Sequence, residues 1–291
     1  MSAVRVPRLF GTDGIRDLAN HGPLRTDRVL ALGEAAARFF GSRVRRPPRV
    51  GLGWDTRISS PAIASALTAG FAGAGAEVVW FGVMPTPAVS VLTRHYGLDA
   101  GVVVSASHNP AEDNGIKFFG SDGMKLPDQQ ERALERILAA SRAGRARTGT
   151  AVGAVRPLAA EAVRTYTDHL LSRYRQADLE GMRIAVDCAH GAVCRTAPLV
   201  FDGLGVEVTW RADRPDGFNI NARSGSLHPE HVARLTRSRT ADAGMAFDGD
   251  GDRVMLCDGR GRILNGDRIL GILAVHYVKH KRLPGAAVVG T

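Results

Sequence analysis

Short apolar runs alternate with longer amphipathic ones along most of the chain. Arg49–Trp54, Glu77–Phe81 and Val102–Val104 are brief and rich in Val, Leu and aromatics, which predicts buried strands. Between them, apolar residues recur at helical spacing and predict helices from Thr26 to Gly41, from Pro61 to about Gly75 and from Pro87 to Tyr96. Thr26 reads as an N-cap and Gly41 as a C-cap. A charged helix, Asp128 to Ser141, closes this first unit. Arg142 to Pro157, rich in Gly, Ala and Arg and without periodicity, reads as a linker.

The pattern then begins again. After a helix from Glu161 to Tyr174, a strand from Arg183 ends in Asp187, as the strand from Arg49 leads to Asp55. The segment Gly203–Trp210 (GLGVEVTW) parallels Gly73–Trp80 (GAGAEVVW), and Asp242-Ala243-Gly244 repeats Asp99-Ala100-Gly101. Eight residues beyond each of those aspartates stand Ser107 and Asp250. The chain therefore reads as an internal repeat of strand–helix–strand units. The expected architecture is α/β, with repeated three-layer α/β/α domains built on mixed, mostly parallel sheets. Its expected divisions are 1–150, 151–253 and 254–291. The last of these holds a hairpin, Val254–Cys257 and Arg262–Leu264 around Asp258–Gly261, a helix from Asp267 to Lys281, and an apolar run from Ala286.

Composition narrows the classes of function. A length of 291 residues allows two or three domains, and 44% hydrophobic with 23% charged residues is ordinary for a globular protein. The N-terminus lacks an apolar signal segment, and no run reaches membrane-spanning length, so no membrane partner and a cytoplasmic location are expected. Cys188, Cys194 and Cys257 form neither a CxxC nor an even set, which argues against a disulfide framework or a zinc site. The net charge of +9 raises nucleic acid as a partner. The arginines are scattered, however, and the one tight cluster, Arg43–Arg49, sits between a helix and a strand; a small anionic substrate fits the same balance.

Two loops carry the chemistry. Ser105-Ala106-Ser107-His108-Asn109-Pro110 breaks abruptly from the apolar run Val102–Val104, at the strand end where open α/β sheets hold ligands. A simple turn with incidental hydroxyls is the competing reading. Phe247-Asp248-Gly249-Asp250-Gly251-Asp252-Arg253 places three carboxylates on alternate positions. Such charges repel unless a cation holds them, and oxygen-only donors suit Mg²⁺ or a similar hard ion. An EF-hand loop counted from Asp248 would need Gly and Glu where Arg253 and Gly259 stand. A haloacid-dehalogenase-like phosphatase would make Asp248 a nucleophile but carries Thr or Val where Asp252 stands. Neither a Walker loop nor a Rossmann fingerprint is present. A phosphorylated serine would bring charge and acceptor oxygens to the acidic loop, with Lys117 and Arg16 as candidate partners.

Leu9–Arg16 (LFGTDGIR), Ser105–Phe119, Asp187–Ala192 (DCAHGA), Asn219-Ile220-Asn221 and Asp248–Arg253 together resemble the α-D-phosphohexomutases. The Gly-Thr-Asp-Gly-Ile-Arg opening points to their glucosamine-phosphate branch rather than to phosphomannomutases or phosphoglucomutases. The resemblance implies that Ser107 is a phosphoserine that passes its phosphoryl group to a sugar phosphate. A sugar 1,6-bisphosphate intermediate and activator reorients and returns its other phosphoryl group, interconverting glucosamine 6-phosphate and glucosamine 1-phosphate. It further implies that Asp248, Asp250, Asp252 and the Ser107 phosphate bind one Mg²⁺. His108 and Lys117 would serve proton transfer and positioning, Arg16 and Arg253 would brace phosphate, and Thr12 and Asn109 would bind substrate or phosphate. The expected partner is a small phosphosugar, with homo-oligomerisation open. The family's later sugar-reading and phosphate loops do not occur in these 291 residues, so weak or absent mutase activity is expected of the chain alone. The alternatives are a non-catalytic role in phosphosugar or metal binding or in association, or a phosphomannomutase or phosphoglucomutase of the same family.

Overall fold

Val102, Val103 and Val104 are all fully buried, because apolar layers cover both faces of the strand that carries them. The computed structural model describes residues 8–140, 146–173, 179–283, 285 and 287–289. The chain order is β1 (Ile15–Leu18), α1 (Thr26–Gly41), β2 (Arg49–Trp54), α2 (Ser60–Gly73), β3 (Glu77–Val83), α3 (Thr86–His95) and β4 (Ala100–Val104). It continues with β5 (Asp113–Gly120), α4 (Asp128–Ala140), β6 (Val155–Pro157), α5 (Ala159–Leu171), β7 (Arg183–Asp187), α6 (Ala197–Gly203) and β8 (Glu207–Arg211). Last come α7 (Pro229–Ser238), β9 (Ala243–Phe247), β10 (Val254–Asp258), β11 (Ile263–Leu264) and α8 (Gly266–Lys279).

Two mixed sheets result, ordered β1-β5-β4-β2-β3-β6 and β11-β10-β9-β7-β8. In the first, β2 pairs in parallel with β3 and β4, while β5 runs antiparallel to β4. The second repeats this, with β7 parallel to β8 and β9 and with β10 antiparallel to β9. Alternation along each strand divides the first core in two. Val50, Leu52, Val102 and Val104 pack toward α1, α2 and α4, whereas Val79, Phe81 and Val103 pack toward α3 and α5. The second sheet is likewise lined by α6 on one core and α7 on the other. Both units are therefore three-layer α/β/α.

The repeat extends to single atoms. Asp99 accepts the Arg49 backbone N–H at 2.7 Å, and Asp242 accepts that of Arg183 at 2.8 Å. Thr93 on α3 bonds the Val89 carbonyl at 2.7 Å, and Thr236 on α7 bonds that of Val232 at 2.8 Å. Opposite each threonine a glycine lets the helix close on the sheet. A Cβ on Gly101 or Gly244 would lie 2.3 Å from the hydroxyl oxygen facing it.

Several sequence expectations need adjusting. Thr26 is the first helical residue of α1 rather than its cap; its N–H is taken instead by the Asn20 side chain at 3.3 Å, and Ser42 follows Gly41 as the C-cap. The tail after the serine loop, to which no element was assigned, holds the buried strand β5. At the end of the segment read as a linker, β6 pairs with β3 in the first sheet, and the β10–β11 hairpin completes the second. The expected helix ends at Ser141 and Tyr174, the first residues of the Arg142–Pro157 segment, and part of the run from Ala286 lie outside the described residues.

Candidate active site

Ser107 lies three residues past the end of β4, and Asp250 three residues past the end of β9, so matching strand ends deliver both loops to one place. Ser107 takes a left-handed backbone with φ 54°. Its N–H donates to the Ser105 hydroxyl at 2.9 Å, a buried contact that gives Ser105 a definite part in shaping the loop.

The Ser107 hydroxyl donates to Asp248 Oδ2 at 2.6 Å. Arg253 Nη2 contacts both Ser107 Oγ and His108 Nδ1, and the two side-chain contacts of Arg253 with the Asp248 carboxylate measure 3.1 and 3.2 Å. His108 Nδ1 stands 3.4 Å from Ser107 Oγ. Lys117, reaching across from β5, donates to Asp250 Oδ2 at 2.7 Å and to Asp252 Oδ2 at 3.2 Å. Ser107, His108, Lys117, Asp248, Asp250, Asp252 and Arg253 thus converge. Arg16, on β1, joins through Asn109, whose Oδ1 accepts from Nη1 at 3.3 Å. Thr12 stays apart: it is exposed on a neighbouring cleft of about 510 Å³ shared with Asp13 and Arg16, and its carbonyl accepts from Lys125.

The charges explain one another. Burial, with the Asp250 charge behind it, pushes the Asp248 carboxyl up to about 7. Burial pushes Asp250 the same way, but the Lys117 ammonium and the Thr86 hydroxyl, 2.6 Å from Oδ2, outweigh it and hold Asp250 below the usual carboxylate range. Burial acts to lower Lys117, yet Asp250 and Asp252 hold it above its ordinary value, so it stays an ammonium. His108 is held low by burial and by the positive charge of Arg253 and Arg16, which favours the neutral ring.

The acidic loop fits a hard cation. One oxygen from each of Asp248, Asp250 and Asp252 lies within 4.8 Å of the others, and Asp250 Oδ1 is buried without a partner among the described residues. A carboxylate oxygen in that position is costly unless something positive meets it. Asp248 itself is fully buried, with Oδ2 engaged by Ser107 and Arg253.

Three contributors lacked a decisive signal in sequence. Thr86 binds Asp250 from the start of α3 through its hydroxyl and, at 2.8 Å, through its N–H to the Asp250 carbonyl. Arg57 and Asn221 both reach the serine loop. Only Asn221 lay in a segment already marked, and nothing in its spacing indicated its target.

Two repeated α/β/α units that bring a serine loop and a glycine-spaced aspartate loop face to face define a bilobal protein with one shared centre. Comparison with known proteins gives this class its family. Residues 7–145 match phosphoglucomutase/phosphomannomutase alpha/beta/alpha domain I and residues 164–261 match domain II; the chain belongs to this family. It is 46% identical over 289 residues to the phosphoglucosamine mutase of Symbiobacterium thermophilum, covering 98% of this chain and 64% of that protein. It is 47% identical over 283 residues to that of Halorhodospira halophila, covering 97% and 61%. The chain thus spans less than two thirds of these relatives' length. A crystal structure of a phosphoglucomutase/phosphomannomutase family protein from Burkholderia thailandensis matches with a TM-score of 0.77 at 27% identity, over 94% of this chain and 59% of that one.

Proposed function

We propose that the chain carries the phosphoryl-transfer centre of a mutase that interconverts glucosamine 6-phosphate and glucosamine 1-phosphate in the cytoplasm. The observation that carries this reading is the Ser107 hydroxyl placed 2.6 Å from Asp248 in a triple-aspartate loop, with Arg253 on the same oxygen. The phosphoglucosamine mutases among its relatives support the choice of sugar. In domain terms, we place the serine loop in a first unit that includes β6 and the aspartate loop in a second that includes the β10–β11 hairpin, with α8 beginning a third segment.

Each half-reaction moves one phosphoryl group. The bond between phosphorus and Ser107 Oγ breaks, a bond from phosphorus to a sugar hydroxyl oxygen forms, the hydroxyl proton passes to a base, and Oγ takes a proton back. The resulting sugar 1,6-bisphosphate turns and the same steps run in reverse with its other phosphoryl group. His108, neutral and beside Oγ, is the base we assign. Lys117, fixed as an ammonium by Asp250 and Asp252, supplies charge rather than accepting a proton. Arg253 meets the transferring group, while Arg16 and Asn109 at the cleft edge, with Thr12 farther along it, are suited to the phosphate left on the sugar. Asp248, Asp250 and Asp252 would hold Mg²⁺ with a Ser107 phosphate oxygen, and the ion would neutralise charge that builds on the transferring group.

Ser107→Ala tests the assignment. In a version extended to the full length of the relatives, and in a coupled assay that consumes glucosamine 1-phosphate, we expect turnover to fall by about 10³-fold or more. Undiminished turnover in the alanine variant would remove Ser107 as the carrier.

A further inference from the structure

The carbonyl oxygens of Ser107 and Asn109 each accept two hydrogen bonds, one from either unit. Arg57 Nη2, from the loop after β2, reaches Ser107 O at 3.3 Å and Asn109 O at 2.7 Å. Asn221 Nδ2, from the second unit, reaches the same two oxygens at 2.9 Å each. Two carbonyls that point to one side, two residues apart, require a sharply curled backbone between them. Ser107 supplies it with φ 54°, a conformation that costs a non-glycine residue energy unless its surroundings impose it.

Both donors are themselves held. Arg57 is fully buried against an equally buried Asp55, whose other oxygen accepts from the Arg57 backbone and from Ser60. Asn221 has φ 60°, and its N–H is bound to the Ala189 carbonyl at 2.8 Å. Its carboxamide can face only one way, because rotation would set Oδ1 against two carbonyl oxygens. Space is tight as well: a Cβ on Gly249 of the acidic loop would lie 2.6 Å from Ser107 O and 2.9 Å from Asn221 Nδ2.

We propose that Asn221 is a positioning residue which, with Arg57, clamps these two carbonyls and so locks the left-handed turn that aims Ser107 Oγ at Asp248. The second unit then provides more than the aspartates: it completes the conformation of the nucleophile held by the first. The catalytic part of this inference rests on the mutase reading; the clamp itself rests on geometry alone.

Asn221→Asp separates the donor from other roles, since aspartate keeps the size and tolerates positive φ but turns an oxygen toward both carbonyls. Asn221→Gly keeps the backbone freedom and deletes the side chain. Two readouts apply to both variants and to the unaltered chain. The first is amide hydrogen exchange in the peptide spanning Ser105–Pro110, where the Ser107 and Asn109 N–H groups are bonded to Ser105 Oγ and Ala106 O. The second is the rate at which Ser107 takes up phosphate from glucose 1,6-bisphosphate with Mg²⁺, followed by intact mass across bisphosphate concentrations. We expect exchange in this peptide to quicken about tenfold, with distant peptides unchanged. The maximal uptake rate should fall about 10- to 100-fold at an unchanged half-saturating concentration. Exchange at the rate of the unaltered chain in both variants would overturn the clamp. If the unaltered chain itself takes up no phosphate, the mutase reading fails while exchange still decides the clamp.

Discussion

Asp55 and Arg57 are both completely buried, and each makes the other tolerable. The guanidinium satisfies the carboxylate and spends its remaining N–H groups on the carbonyls of Ser107, Asn109 and Pro110. Removing one partner of such a pair leaves an uncompensated interior charge, a cost of about 3–5 kcal/mol. Asp55→Asn is therefore expected to lower the stability of the first unit by that amount in a denaturant titration, whereas a loss below about 1 kcal/mol would mean the pair is solvated in solution. From sequence, Asp55 was marked only as the residue to which the strand from Arg49 leads. A motif shows where an arginine lies in the chain; it does not reveal that the arginine will be buried, or which carbonyls it will collect.

The helix α5 couples the two sheets, packing on β3 and α3 of the first unit and on α6 of the second. Tyr166 lies on its buried face in the same core as Val79 and Phe81, and burial pushes the phenol from 10.0 up to about 12. In this acid the folded state holds its proton more tightly than the unfolded chain does. Stability should thus be unaffected by Tyr166 below pH 10 and should decline as pH rises from about 10 to about 12. Tyr166→Phe is expected to remove that component of the decline in thermal melts across this range; an identical pH profile for both proteins would show the phenol to be solvated.

Elements were legible in the sequence in proportion to how fully local pattern determines them. Apolar runs marked β2, β3, β4 and β7, and helical spacing marked α1, α2 and α3. The strand β5 was missed because its polar residues Asp113, Asn114 and Lys117 disguise a segment buried almost throughout. Lys117 is interior only because Asp250 and Asp252, more than a hundred residues later in the chain, meet its ammonium. The edge strand β6 carries too few residues for any periodicity to register, whereas the β10–β11 hairpin was marked by its two apolar arms around Asp258–Gly261.

Across the two units together, the repeat is what makes a centre possible. Equivalent strand ends deliver Ser107 and Asp250 from two copies of one α/β/α plan, and Thr86, Lys117 and Asn221 knit the loops together across the junction. The sequence showed the two loops and their periodic spacing. It could not show that they meet, since contact between separately folded layers depends on packing rather than on spacing.

The central claim is that Ser107 is the phosphoryl carrier, and phosphopeptide mapping tests it most directly. The chain is incubated with glucose 1,6-bisphosphate and Mg²⁺, digested, and its peptides are sequenced by mass spectrometry. The account predicts a single phosphoryl group on the peptide that contains Ser107, with none when Ser107 is alanine and little when Asp248, Asp250 and Asp252 are all asparagine. Phosphate found on Asp248, or uptake undiminished without Ser107, would contradict it.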